Sequence, residues 1–112
     1  MSIQDITDKI ERLEVMEEKL GISIESLYAA INKSNNKNEY FFELNGEIHP
    51  TNGTTIDKTM RIVVSLHDDD GRVVGRKEHW VTPDSFFGLE SFSVYITTQI
   101  FPCKIRIYPT MF

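Results

Sequence analysis

Between Ile3 and Ile31 the chain reads IQDITDKIERLEVMEEKLGISIESLYAAI, with apolar residues at Ile3, Ile6, Ile10, Leu13, Leu20, Ile24, Leu27 and Ile31. Spacings of three and four put side chains on one face of an α-helix, so the stretch predicts a helical stripe, interrupted only by Glu17. Ser2 stands where an N-cap accepts a hydrogen bond from an orphan amide, and Asp5 follows three residues on as a short substitute for the usual Glu. Gly21 followed by Ile22 has the form of a helix end, with glycine left-handed and an apolar residue packing back. Ser23 can then cap a second helix. The expectation is a helical segment over residues 1–34, as two helices at about 3–20 and 24–34. One long helix through Gly21 is the alternative, at about 1 kcal/mol relative to alanine. The polar run from Lys33 to Lys37 reads as a linker.

Beyond Asn38 the composition changes. Tyr28 is the one aromatic before that point, all four prolines come after it, and Val, Ile, Phe, Tyr and Thr replace the helix formers. Tyr40, Phe42, Leu44 and Ile48 alternate with Glu43, Asn45 and Glu47, which predicts a strand with one apolar face. Met60, Ile62, Val64 and Leu66 alternate in the same way. Asp68-Asp69-Asp70-Gly71 then ends in the Asp-Gly pair of a hairpin turn, and Val73 and Val74 open a return strand. Phe92, Val94 and Ile96 make a fourth strand, Ile105 and Ile107 a fifth. These strands predict an antiparallel sandwich over residues 39–112 and, with the helices, an α+β fold class.

Together the runs Phe42-Glu43-Leu44-Asn45-Gly46-Glu47-Ile48, Ile62 to Asp68 leading into Gly71-Arg72-Val73-Val74, and Gly88-Leu89-Glu90-Ser91-Phe92-Ser93-Val94 resemble the bacterial FxLYD family of immunoglobulin-like sandwich domains. The resemblance covers about residues 41–108. His67 stands where the family has Tyr, and no Asn follows Ile48 at the family's place. The resemblance implies an immunoglobulin-like sandwich and carries no catalytic residue to any position of this chain.

Composition limits the chemistry. The chain has 112 residues, with 12 Lys and Arg against 17 Asp and Glu, a net charge of −5 and a pI of about 5.1. That balance disfavours phosphate backbones and anionic lipid, so neither nucleic acid nor membrane is an expected partner. No apolar run approaches the ~20 residues of a spanning helix, and the acidic N-terminal stretch does not read as a secretory signal. With a single thiol, Cys103, this reads as a protein of a bacterial or phage cytoplasm.

Asp68 and Asp70 are the candidate cation ligands, but the EF-hand pattern fails: alignment on Gly71 puts Leu66 at the first position and Lys77 at the bidentate one. A hairpin tip made soluble by carboxylates is the favoured reading. His49, His67 and His79 lack zinc spacing, and His67 and His79 read as strand-end residues facing water. Cys103 is read as a buried or edge thiol, and Ser85, Ser91 and Ser93 lack a nucleophile elbow. No enzyme and no cofactor is expected. Phe86 and Phe87, beside Gly88, either plug the sandwich or form an apolar binding patch. The expected function is therefore a protein-interaction or assembly module that self-associates into a homo-oligomer through Ile6, Ile10, Leu13 and Leu20, with Phe86 and Phe87 as a second site. Packing of the stripe on its own sheet, or on another protein, is the other possible fate. The competing function is calcium-dependent ligand binding at the Asp68–Asp70 turn.

Overall fold

The computed structural model describes residues 3–35 and 38–111. Eight strands form two four-stranded sheets: β1 (Ile3–Asp5), β2 (Ile10–Arg12), β3 (Ile22–Lys33), β4 (Tyr40–Pro50), β5 (Met60–His67), β6 (Val73–Val81), β7 (Glu90–Thr98) and β8 (Lys104–Met111). Sheet A has the order β1-β3-β4-β7 and sheet B the order β2-β8-β5-β6. All pairings are antiparallel except that of β2 with β8, which is parallel. The core is a continuous cluster drawn from both sheets, including Ile24, Phe42 and Leu44 from sheet A and Ile62, Leu66 and Ile107 from sheet B. No helix among the described residues is long and apolar enough to cross a membrane.

This overturns the α+β expectation: the fold is all-β, and the segment expected to be helical supplies three strands. Among the described residues only Glu14–Leu20 forms an α-helix, α1. Ser2, the expected N-cap, lies outside the described residues, as do Asn36 and Lys37 of the linker. The second expected helix is entirely strand β3, hydrogen-bonded to β4 from Ile22↔Pro50 to Lys33↔Tyr40.

A bulge explains the false helical period. Glu25 pairs with Glu47 and Tyr28 with Asn45, so Ser26 and Leu27 together oppose Gly46. Ser26 takes a positive φ of 57°, unusual for a residue with a side chain. One inserted residue reverses the facing rule. Ile22 and Ile24 point inward before the bulge, Ala29 and Ile31 after it. A strand read across that phase change shows gaps of three and four, as Ile24, Leu27 and Ile31 do, and so imitates a helix. Gly46 makes the bulge possible: a Cβ there would lie 2.9 Å from both Leu27 Cδ2 and Phe92 Cζ.

Upstream, the stripe is divided by a change of sheet. The Ile6 amide donates to the Ala29 carbonyl at 2.9 Å. Thr7 Oγ1 then accepts from the Ala29 amide at 3.0 Å. A short 3₁₀ turn over Thr7–Lys9 carries the chain across to β8. The helix end at Gly21 is as the sequence predicts, with φ 72° and its amide on the Glu17 and Glu18 carbonyls. Taking β1 and β2 as halves of one first strand, the order also departs from the immunoglobulin constant-type arrangement, in which the second and third strands lie in opposite sheets. Here β3 and β4 form a hairpin within sheet A.

Candidate functional site

The residues expected to form an association stripe are dispersed. Ile6 is fully buried at the change of sheet, Ile10 and Leu20 are half-buried against the core, and Leu13 hydrogen-bonds through its amide to the Ile107 carbonyl at 3.3 Å. Phe86 and Phe87 separate in the same loop. Phe86 is 4% exposed and joins the core, whereas Phe87 is 86% exposed, as is much of Leu89.

Glu17, the single polar break in the stripe, is the most specific feature of the N-terminal third. It is 2% exposed. Its Oε1 accepts from Arg12 Nη2 at 2.6 Å and from the Ile24 amide at 3.0 Å, and its Oε2 accepts from Arg12 Nε at 3.1 Å. The carboxylate ties β2, α1 and β3 together, and the hydrogen bond to Glu17 raises the Arg12 pKa above its ordinary value.

On the Asp turn, ligand atoms of Asp68, Asp69 and Asp70 lie within 4.8 Å of one another. Asp68 Oδ1, however, accepts from the backbone amides of Asp70 at 3.0 Å and Arg72 at 2.8 Å. This is the side-chain-to-backbone bonding that makes Asp a turn residue. Asp70 faces Arg72 at 3.7 Å.

His67 is buried where the sequence reading placed it in water. A carbonyl only accepts, so the contact of His67 Nδ1 with the Gly71 carbonyl at 3.2 Å puts the proton on Nδ1. Nε2, on the other side of the ring, is hydrogen-bonded with Ser65 Oγ at 2.8 Å. Ser65 is buried as well, so the pair anchors the β5–β6 hairpin to its own strand. His79 is likewise held: Nε2 contacts Glu90 Oε2, and the ring stacks on Phe92 at 5.4 Å. Cys103 is exposed, and its amide donates to the His67 carbonyl at 2.8 Å.

The outer faces of the two sheets contrast. On sheet B, Glu78 accepts from Arg76 at 2.7 Å and from Arg61 at 3.3 Å, and Arg61 lies over the Trp80 ring. Glu11 accepts from Arg106 at 2.8 Å, with Lys104 at 3.7 Å. Val63, Ser65 and His67 are buried on the same strand side as Arg61, so long paired side chains cover the middle of this face, while Val73 and Trp80 at the two ends of β6 stay exposed. Sheet A is different. Its outer positions include Ile3, Tyr28, Phe41 and Tyr95, the last two 44% and 61% exposed. A shallow groove of about 200 Å³ runs among Ile3, Ala30, Asn32, Phe41 and Tyr95. Asn32 pairs with Ile3 on one side and Phe41 on the other, and its buried Oδ1 has no hydrogen-bond partner among the described residues.

The ion-pair lattice on sheet B makes a pH prediction. The Glu78 carboxyl is held below its ordinary 4.5, first by the hydrogen bond from Arg76 and then by the charges of Arg61 and Arg76, against partial desolvation. A folded-state value below the unfolded one stabilises the fold above the unfolded pKa, and that stabilisation disappears as pH falls through the folded pKa. Urea melts across the acidic range are expected to show Glu78→Gln losing less stability on acidification than the parent chain. Equal acid sensitivity would contradict this assignment.

No protein family, curated protein or solved structure matches the chain.

Proposed function

We propose that this is a non-enzymatic protein-interaction module that self-associates through sheet A. The supporting observation is the apolar outer surface of that sheet, where Ile3, Tyr28, Phe41 and Tyr95 stand exposed, whereas on the opposite sheet the exposed Trp80 lies under Arg61 and among the ion pairs of Arg61, Arg76 and Arg106. Apolar surface grouped on one face is the usual mark of an interaction site, and aromatic residues are the side chains that carry such interfaces. The association surface is the sheet, and no longer a helical stripe. Static light scattering over a concentration series is expected to give a mass rising above the 13.0 kDa of one chain. A mass constant at that value up to millimolar protein would defeat the reading.

A further inference from the structure

We infer that the free edge of β7 pairs antiparallel with β7 of a second copy, about a two-fold axis at Val94, so that two A sheets become one eight-stranded sheet. This rests on the self-association reading and adds a strand edge to it: of the exposed residues on the outer face of sheet A, only Tyr95 belongs to β7.

Among the described residues there are four edge strands, β1 and β7 in sheet A, β2 and β6 in sheet B. An open edge presents unpaired N–H and C=O groups to any extended chain unless it is short, bulged or charged. β1 and β2 have three residues each. β6 carries Arg76-Lys77-Glu78 at its centre and a register shift against β5 at Leu66/His67. Only β7 has none of these protections. It runs nine residues in unbroken register with β4, from Ile48↔Glu90 to Tyr40↔Thr98. It contains no Pro, Gly, Lys or Arg, and its one charge, Glu90, sits at its first residue in contact with His79. Ser, Tyr, Ile, Val, Phe and Thr make up the rest, most of them strand formers.

The occupant follows from the strand's own pattern. Antiparallel pairing centred on Val94 uses all nine residues and opposes Ser93 to Tyr95, Phe92 to Ile96, Ser91 to Thr97 and Glu90 to Thr98 of the twin. From Ser91 to Thr97 each exposed residue meets an exposed one and each buried residue a buried one, because the facing rule is conserved about the axis; at the ends the half-buried Glu90 opposes the buried Thr98. No like charges oppose one another along the ladder. The exposed Tyr95 side chains flank the axis, adding aromatic contact on the outer face.

β6 sets the strength. It lies alongside β7, joined by Thr98 Oγ1 to the Val74 carbonyl at one end and by His79 to Glu90 at the other. Lys77 falls midway between those contacts and is exposed. Pairing brings it towards its twin. A single strand pair also buries less than the roughly 1,200 Å² of a standard stable interface. The dimer is therefore transient, and it tightens when Lys77 is neutralised.

Sedimentation of the full chain over a concentration series, with amide exchange at low and high concentration, tests this. Expected are a monomer–dimer equilibrium and concentration-dependent protection of alternate β7 amides. Ser93→Lys sets two new cations diagonally across the axis and weakens the dimer at least about tenfold, with an unchanged circular dichroism spectrum; Lys77→Ser strengthens it. A dimer indifferent to Ser93→Lys, with β7 amides unprotected, overturns the β7 assignment while self-association stands. A monomer at every concentration removes both.

Discussion

Replacing Glu17 with alanine is expected to destabilise the fold by about 3 kcal/mol, an effect normally associated with core truncations rather than with a glutamate. The substitution removes three hydrogen bonds at once. It leaves the Ile24 amide without an acceptor inside the protein and the Arg12 guanidinium without its counter-charge. The Arg12 side chain is 32% exposed and can turn to water, which limits the electrostatic part. The Ile24 amide cannot, because Ile24 is fully buried. Glu17→Gln is expected to cost less, since an amide oxygen still accepts from Ile24. Arg12→Met leaves a buried carboxylate with a single donor, and is expected to cost at least as much as Glu17→Gln. Urea denaturation midpoints measure all three. Should Glu17→Ala unfold at the parent midpoint, the carboxylate does not anchor α1 to the sheets.

The same glutamate shows what the sequence conveyed and what it hid. Its place inside an apolar series was visible, and a charged residue at a core position marks either a defect in the pattern or a buried partner. Arg12, five residues away, was the available partner. On a helix the two would not have met, because neighbours there are three or four apart. Only the break into β2, a bend at Leu13 and α1 brings them face to face. The bulge at Ser26 and Leu27 was concealed for a similar reason: it is defined by Gly46 on another strand, and no local window contains both sides of it. By contrast, β4 and β7 alternate in burial along their length, and in β5 the positions Met60, Ile62, Val64 and Leu66 keep period two although Val63, Ser65 and His67 between them are buried as well. The inward residues Phe42, Leu44, Ile62, Val64, Phe92 and Val94 were legible from that period. The Asp-Gly hairpin and the glycine end of α1 were legible too, since both depend on backbone angles that glycine alone adopts cheaply. The candidate surface was not. Ile3, Tyr28, Phe41 and Tyr95 come from four strands, and their juxtaposition exists only once the order β1-β3-β4-β7 is known. Phe86 and Phe87 lie in a loop, where no period says which ring turns inward.

Adjacent phenylalanines on a strand do obey a period, and they supply the second large effect. Phe42 sits on β4, a central strand of sheet A, at 1% exposure, with Ile31 of β3 and Ile96 of β7 as its register neighbours. Phe41 points to the opposite side. Phe42→Ala is expected to cost about 3–5 kcal/mol, the transfer free energy of the ring together with the cavity it leaves. Small domains have about 5–15 kcal/mol in total, so this variant should be close to unfolding at room temperature. Phe41→Ala removes an identical ring from the outer face, and should shift stability by no more than about 0.5 kcal/mol. The difference between two variants with the same chemistry, one residue apart, isolates facing from composition. If the order reversed, β4 would be in the other register, every outward residue of β4 would become a core residue, and Phe41 could not belong to an association surface. Urea melts of the two alanine variants thus test the strand assignment on which the proposed face depends, independently of any measurement of oligomeric state.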